Sequence, residues 1–260
     1  MTIQTTPVFY FIEAVDNTNF ALNFVEPNIG PTELEAQLTA GARTMTDLMV
    51  EVERAMNDAG QETYTVTLDR TTRLVTISST DTVELLVATG SNGNSVFPLL
   101  GFTGADRTGA SSYTGDTAIG TEYIPQFPLQ DFVDFDNNLD NIQSSVQETA
   151  SSVVEVITFG NRQFTEFNIT FITDRFKTKG NIIQNNSSAV AEARAFMTFA
   201  ITKQNIEFMK DKSNRGTFDT MLLERTPQAR DGTAFLLREL VNRGFEDYFE
   251  TGRIRFRKVT

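Results

Sequence analysis

The chain has 260 residues, of which 40% are hydrophobic, and its net charge at neutral pH is −12. It contains no histidine and no cysteine, which excludes disulfides, thiol nucleophiles, zinc-finger sites and histidine-based triads. Because the commonest catalytic base and the soft metal ligands are missing, we expect no catalytic centre, no cofactor and no bound transition metal. The length predicts two domains.

Strand and helix signals follow one another in the first 60 residues. Residues 8–13 and 20–25 are predicted strands. Apolar residues then follow helical spacing over residues 44–59. Thr44 is the expected N-cap, and Asp47 three residues later gives an aspartate variant of the capping box.

A hairpin is predicted directly after this helix. Gly60 is expected to end the helix with a positive φ. Apolar residues alternate with polar ones over residues 63–78, and the expected turn lies at 69–72. One helix packed on one sheet would bury both apolar faces.

Small polar residues dominate residues 90–120, interrupted by the apolar segment "VFPLLGF". Such a loop has no core of its own, so it is expected to be either flexible or held by a neighbouring subunit. We therefore predict a subunit contact within residues 103–121. The candidate contact residues are Asp106, Arg107 and Tyr113.

Residues 121–150 are predicted to be an acidic linker with a short polar helix. Four oxygen-bearing side chains in it are spaced as in the first half of a calcium loop: Asp134, Asp136, Asn138 and Asp140. Leu139 and Ser145, however, occupy the positions that need glycine and glutamate. We therefore favour a solvated linker over a calcium site.

The signals after residue 150 predict a second β-rich region with two more helices. A hairpin is expected to turn at Gly160 and Asn161, and Ser187 or Ser188 is expected to cap the first of the helices. The other predicted elements are helices near 187–203 and 232–243 and strands at 206–209, 218–223 and 253–259.

The last predicted strand places three arginines on one face: Arg253, Arg255 and Arg257. Charges along an edge strand prevent unwanted pairing, so a solvated edge is one interpretation. The other is a basic stripe that contacts an acidic surface of the next subunit. Nucleic acid is disfavoured as the partner, because the chain as a whole is acidic.

Together the elements predict an α+β fold that is predominantly β, with two β-rich domains of sandwich or barrel type, each with packed helices. The expected domains are residues 1–120 and 151–260, joined by the linker 121–150. The net charge is −11 over residues 1–130 and +4 over residues 151–260, which also suggests two regions with different neighbours.

Two stretches carry a resemblance to known proteins. An LTAG-like turn, a helix that ends in "NDAG", a hairpin and an "LLGF" segment follow one another between Leu38 and Asp116. This order resembles a small module that recurs in structural proteins of tailed bacteriophages. The last 110 residues also resemble phage tail proteins, which assemble into rings through β-augmentation and loop exchange between subunits.

The resemblance implies a non-enzymatic structural subunit of a bacteriophage tail, of the baseplate or distal-tail type, in a ring around the tail channel. The implied partners are further copies of the chain, for which a hexamer is one option, and other tail proteins. The implied location is the virion, after synthesis in the host cytoplasm. No membrane contact is expected, and nucleic acid would only pass through the channel.

Other functions stay open on the sequence alone. Within assembly, the chain could be a tail tube, neck or head-decorating subunit. Outside it, the alternatives are a receptor-binding module that uses the loop of residues 103–121, and a carboxylate-based cell-wall or polysaccharide hydrolase. A hydrolase would need two carboxyls at a suitable distance, as in the pairs Glu33/Glu35 or Glu51/Glu53, but there is no tryptophan for sugar stacking.

Overall fold

The structure is a computed structural model that describes residues 7–125, 139–148, 154–170, 172–174, 177–179, 182–184, 188–225, 237–240 and 247–259. These residues form mainly antiparallel β-sheets with two helices, which confirms an α+β fold that is predominantly β. Contacts divide the chain into two compact units. The N-terminal unit is Val8–Glu122 with Gln204–Phe218, and the C-terminal unit contains Tyr123–Lys203 and Asp219–Thr260.

The secondary structure elements are numbered in chain order. Up to residue 125 they are β1 (Val8–Phe11), β2 (Ala21–Val25), β3 (Glu33–Gln37), α1 (Met45–Ala59), β4 (Tyr64–Asp69), β5 (Leu74–Leu85), β6 (Arg107–Thr114) and β7 (Thr121–Tyr123). After it they are β8 (Leu139–Glu148), β9 (Val154–Phe167), β10 (Lys177–Lys179), β11 (Ile182–Gln184), α2 (Ala189–Ile201), β12 (Ile206–Met209), β13 (Asp219–Arg225), β14 (Arg238–Glu239), β15 (Phe249–Glu250) and β16 (Ile254–Lys258).

In the N-terminal unit, five strands form one sheet. Its order is β3-β2-β5-β4, and β6 pairs with β5. β3 alternates two apolar residues with polar ones, and of its residues only Ala36 is fully buried. In the same unit β1 pairs with β12, which comes from residues 204–218. The predicted domain boundaries at residues 120 and 150 stay a prediction.

Helix α1 begins as predicted. The Thr44 hydroxyl accepts a hydrogen bond from the Asp47 N–H at 3.0 Å, and Asp47 Oδ2 accepts one from the Thr44 N–H at 3.4 Å, which completes the capping box. The helix buries one apolar stripe, made of Met45, Leu48, Met49, Val52, Ala55 and Met56. The methionine-rich stripe is therefore core.

The predicted positive φ at Gly60 is wrong, since its backbone is extended at φ −96°. The glycine is needed for another reason. A Cβ at residue 60 would lie 2.4 Å from Glu26 Oε1 and 2.9 Å from the Tyr64 ring. Glu26 is buried there because it accepts hydrogen bonds from the Gln61 N–H at 2.9 Å and the Tyr64 hydroxyl at 2.8 Å. Close approach of the Glu26 carboxylate thus excludes any side chain at Gly60.

The hairpin after the helix is confirmed. β4 pairs with β5 from Tyr64 opposite Ser79 to Asp69 opposite Leu74. Its turn lies one residue later than predicted, at residues 70–73, where Arg73 adopts a φ of 59° and donates its N–H to the Asp69 carbonyl at 2.6 Å.

The turn at residues 38–41 is held by helix α1. Glu51 Oε1 accepts the Thr39 N–H at 2.6 Å and an N–H of Arg54 at 2.7 Å, and Arg43 Nη2 lies 3.5 Å from it. The pKa of Glu51 is lowered to about 2, mainly by the hydrogen bonds from Arg54. Burial acts to raise this pKa, and the hydrogen bonds from Thr39 and the charge of Arg43 lower it further. An ionised Glu51 therefore connects the helix to this turn.

One fully buried carboxylate joins three distant segments of the N-terminal unit. Glu207 in β12 accepts the N–H and the hydroxyl of Thr46 at 2.9 and 2.7 Å. Its other oxygen accepts an N–H of Arg70, from the hairpin turn, at 2.7 Å. The Arg70 guanidinium carbon lies 3.9 Å from the centre of the Phe218 ring. This cluster fixes residues 204–218 to the start of α1 and to the β4–β5 turn.

In the C-terminal unit, four strands pair in the order β13-β16-β9-β8. The polar helix expected in the linker is wrong where the structure describes it, because residues 139–148 form strand β8. The spacing of Leu139, Ile142 and Val146 is typical of a helix face, but pairing along β9 overrides this local preference.

The hairpin turn predicted at Gly160 and Asn161 is also wrong. β9 runs through both residues without a break. Asn161 lies opposite Ile142 and Thr158 lies opposite Ser144, so β9 has one extra residue at this point. Gly160 therefore marks a β-bulge, which is the other common role of a glycine within a strand.

Helix α2 confirms the first predicted C-terminal helix, but its cap differs from the prediction. The Ser188 hydroxyl donates to Glu192 Oε1 at 2.6 Å instead of capping the backbone. Asp174 Oδ1 accepts the Val190 N–H at 2.9 Å and takes that role.

The last predicted helix, 232–243, falls mostly outside the described residues. Its described part, 237–240, contains strand β14 and not a helix, because β14 pairs with β15.

A first test concerns the close approach at Gly60. Gly60→Ala should lower the free energy of unfolding by about 2 kcal/mol, because the new methyl group overlaps the anchored Glu26 carboxylate. Urea unfolding followed by circular dichroism measures this. Gly93→Ala is the control, since a Cβ at residue 93 has no atom within 4 Å. Equal stability of the two variants would contradict the packing argument.

A second test uses the pKa of Glu51. Because its folded pKa is lowered, its contribution to stability is complete above its ordinary pKa of 4.5 and is lost as the pH falls from 4.5 towards 2. Glu51→Gln should cost on the order of 2 kcal/mol at pH 7, and the difference from wild type should shrink over that window. Urea unfolding at several pH values checks this. Exposed Glu35→Gln serves as the control, and a constant difference down to pH 2 would refute the role of ionised Glu51.

Candidate assembly surfaces

The segment 103–121 in the N-terminal unit is not a loop without structure of its own. Strand β6 occupies most of it and pairs antiparallel with β5. Hydroxyl pairs connect the two strands on the exposed side, with Thr76 and Thr114 at 2.9 Å and Ser78 and Ser112 at 2.8 Å. The small polar residues that indicated a loop therefore form a cross-strand ladder of hydroxyls.

Asp106, the first candidate contact residue, closes the chain between β5 and β6. Its carboxylate accepts the Ala88 N–H at 2.7 Å, the Thr89 N–H at 3.1 Å and the Thr89 hydroxyl at 2.5 Å. Burial alone would raise the pKa of Asp106, but these hydrogen bonds outweigh it and lower the pKa below its ordinary value. The Asp106 carboxylate therefore makes its hydrogen bonds within its own subunit.

Arg107, the second candidate, is also engaged within its own chain. Its guanidinium donates to the Ala105 and Thr103 carbonyls at 3.0 and 3.1 Å and lies 2.5 Å from Asp116. Asp116 in turn accepts the Thr103 N–H at 2.9 Å, which is the largest of the effects that lower its pKa. The pair of Arg107 and Asp116 shapes the entry into β6.

Tyr113, the third candidate, fills an irregularity between β5 and β6. Its hydroxyl donates to the Val83 carbonyl at 3.0 Å and accepts the Ala110 N–H at 2.7 Å. The register of the two strands shifts between Ser78 and Val83. The tyrosine hydroxyl thus replaces the backbone hydrogen bonds that are lost at the bulge.

In the C-terminal unit, the arginine strand β16 is central and not an edge. It pairs with β13 on one side and with β9 on the other. Ile254 and Phe256, between the arginines, are fully buried. The interpretation of the arginines as protection of an open edge is therefore wrong, because the backbone groups of β16 are already paired.

The three arginines differ in their surroundings. Arg255 forms an ion pair with Glu166 on β9, and its guanidinium carbon lies 5.3 Å from the centre of the Phe164 ring. Arg253 Nε lies 3.5 Å from Glu166, and its side chain is 74% exposed. Within the described part of the chain, Arg257 has no ion-pair partner. The side chain of Arg253 is therefore more exposed than that of Arg255, which is 33% exposed.

The carboxylate pairs considered for a hydrolase all make structural hydrogen bonds. Glu33 Oε1 accepts the Ser91 N–H at 2.7 Å, which is the main cause of its lowered pKa. Glu35 accepts the side-chain amide of Asn92 at 3.1 Å, and Glu53 accepts the Val66 N–H at 3.0 Å. Glu51 holds the turn described above. Each member of these pairs therefore supports a neighbouring backbone or side chain.

Two searches of the structure cover the described residues only. Among these residues there is no group of three or more acidic side chains placed to hold a metal ion. Three residues of the calcium-like sequence lie outside the described residues: Asp134, Asp136 and Asn138. Among the helices that the structure describes, none is both long and apolar enough to cross a membrane.

Sequence reasoning did not identify two features of these surfaces. Glu166 neutralises part of the arginine stripe, although it is 89 residues away from Arg255 in the sequence. Ser112 and Thr114 are exposed on β6. The alternation in the segment "SSYT" was the available signal for a strand, but without an apolar face it is also typical of a loop.

A scan against protein-family models finds no match to this chain, and a search of curated proteins finds none either. The function therefore has to follow from the residues and their geometry.

A third test concerns the role of Tyr113. Tyr113→Phe keeps the ring but removes the hydroxyl, so the Val83 carbonyl and the Ala110 N–H lose their partner. We expect the free energy of unfolding to fall by about 1 kcal/mol and amide exchange to accelerate in β6. Thr108→Ala, an exposed change on the same strand, is the control. Unchanged amide exchange at Ala110 in Tyr113→Phe would show that the hydroxyl does not support the bulge.

Proposed function

We propose that this chain is a non-enzymatic structural subunit of a bacteriophage tail, which assembles with further copies into a ring around the tail channel. The baseplate or distal-tail position is favoured over the plain tube, because a minimal tube protein would not need the N-terminal module. We further propose that the two compact units are separate β-rich domains. The partners are other copies of the chain and neighbouring tail proteins.

The observation that carries the proposal is the uneven distribution of charge. Arg253, whose side chain is 74% exposed, directly precedes β16, and Arg257 lies on it without an ion-pair partner among the described residues. The chain as a whole has a net charge of −12. The residues of the N-terminal half are strongly acidic, so an arginine surface of one copy complements the acidic surface of the next. Complementary charges across an interface select the partner and orient it.

The hydrogen bonds made by the candidate carboxylates favour a structural role over hydrolase activity. The candidate acids Glu33, Glu35, Glu51 and Glu53 each accept hydrogen bonds that hold neighbouring segments. The resemblance of the module between Leu38 and Asp116 to phage structural proteins points in the same direction. In the structure its helix, hairpin and "LLGF" segment belong to one unit.

A fourth test changes Arg253 and Arg257 and leaves Arg255 with its partner. Arg253→Glu/Arg257→Glu should weaken assembly at least tenfold in the concentration at which rings form, because attraction to an acidic surface becomes repulsion. Rim charges are screened by salt, so the effect should decrease as the ionic strength rises. Sedimentation velocity and electron microscopy of the purified protein measure assembly.

The control for this test is Arg194→Glu/Lys212→Glu, which changes the net charge by the same amount at two exposed positions that are not part of β16. It should assemble like the wild type. If both double variants weaken assembly equally, the effect comes from net charge and the assignment of β16 fails. A wild-type protein that forms neither rings nor tubes at any concentration would refute self-assembly of the isolated chain.

A further inference from the structure

The sheet of the N-terminal unit has three outer strands, and polar side chains of helix α1 bond backbone groups at two of them. On β4, the side chain of Asn57 donates to the Tyr64 carbonyl at 3.0 Å and accepts the Tyr64 N–H at 2.9 Å. Glu53 accepts the next outward N–H, that of Val66, at 3.0 Å. The backbone groups that a strand at this edge would need are therefore occupied.

At β3, the contacts involve the last residue of the strand and the turn that follows it. Arg54 donates to the Gln37 carbonyl at 3.2 Å, and Glu51 accepts the Thr39 N–H at 2.6 Å. Polar side chains of one helix thus bond outward backbone groups of β4 and of the end of β3, and groups bonded in this way cannot pair with another chain.

The third outer strand, β6, has no such cover among the described residues. Gly115 donates its N–H to the Val75 carbonyl at 2.8 Å, and Thr114 lies opposite Thr76. Because hydrogen-bonded and non-bonded pairs alternate in an antiparallel ladder, Tyr113 is the next residue bonded to β5. The backbone N–H and C=O groups of Ser112 and Thr114 consequently point away from β5, and no described residue bonds them.

We propose that β6 pairs antiparallel with β6 of a second copy of this chain, about a two-fold axis at Tyr113. In this register Ser112 of each copy faces Thr114 of the other. Since these are the two residues whose backbone groups point outward, the pairing forms four backbone hydrogen bonds and leaves none of these groups unused. The same patch serves both copies, as a two-fold interface requires.

The charges and side chains of β6 favour a second copy as the occupant. Residues 108–114 contain no charged side chain, although the chain has a net charge of −12 and two copies repel each other. Two such strands therefore meet without like charges directly opposite each other. The hydroxyls of Ser112 and Thr114 already continue the ladder from β5, and they would extend it across the axis.

The contact is short, so we expect a weak dimer whose population depends on concentration. It differs from the arginine contact proposed for the ring and does not depend on it. The Arg253→Glu/Arg257→Glu variant should therefore still form this dimer.

The test combines disruption with cross-linking. Ser112→Pro removes one outward N–H per copy, or two of the four hydrogen bonds, at an edge position where proline is tolerated. Sedimentation equilibrium over a wide concentration range should show a dissociation constant raised about tenfold or more. Thr114→Lys should act similarly, because lysine on an edge prevents pairing. Thr65→Lys, on the exposed side of covered β4, is the control and should dimerise like the wild type.

Cysteine variants then test the register, since the chain has no cysteine of its own. A mixture of Ser112→Cys and Thr114→Cys should give disulfide-linked dimers on mild oxidation, and each variant alone should give far fewer. Circular dichroism and urea unfolding of every variant establish that it is folded.

Several outcomes would overturn the proposal. They are a wild-type protein that stays monomeric at all concentrations, a dimer that survives both Ser112→Pro and Thr114→Lys, and a cysteine mixture that does not cross-link more than its components. If Ser112→Pro does not fold, the lysine pair and the cysteine pair still decide the question.

Discussion

The N-terminal unit depends on the complete burial of one carboxylate, Glu207. A buried charge is costly unless it is paired and hydrogen-bonded, and here both oxygens are used, by the N–H and hydroxyl of Thr46 and by Arg70. Thr46 lies in the first turn of α1, where the helix dipole also favours a negative charge. Removing either partner would leave an unpaired charge inside the unit. Residues 204–218 are therefore an integral part of this unit.

The same principle recurs with other carboxylates of the unit. Glu26 and Glu51 are also buried, and each accepts backbone N–H groups from a segment that has no regular partner there. Asp106 does the same at the surface. Much of the acidity of the N-terminal half is thus structural, because carboxylates complete the hydrogen bonding of turns that the sheet leaves unpaired.

Local signals in the sequence predicted the elements whose partners are close in the chain. The capping box of Thr44 and Asp47, the apolar stripe of α1 and the β4–β5 hairpin involve residues that are near neighbours, so composition and spacing were sufficient. Predictions failed where a distant partner decides the conformation. Leu139, Ile142 and Val146 have helical spacing but pair with β9, and Gly160 lies at a bulge that exists only because β8 is its partner.

The candidate sites show the same limit. Asp106 was identifiable as a turn residue, but the N–H groups that its carboxylate accepts, of Ala88 and Thr89, are 18 and 17 residues away. The charge of Arg255 was visible in the sequence, whereas its neutralisation by Glu166 follows only from the pairing of β16 with β9. A strand that looks like an edge from its charges is central, and the open edge lies in a segment that resembles a loop.

These observations together restrict what the chain can offer to a partner. Side chains that look available in the sequence, such as Arg107 and Tyr113, are engaged within the subunit, so substituting them changes the fold of β6 before it changes any contact. On the described N-terminal sheet, the outward backbone groups of Ser112 and Thr114 on β6 have no partner among the described residues. Backbone hydrogen bonds are indifferent to side-chain identity and depend on register alone. An interface built on them would leave little trace in the composition of the sequence, which explains why residue types alone pointed to the charged positions instead.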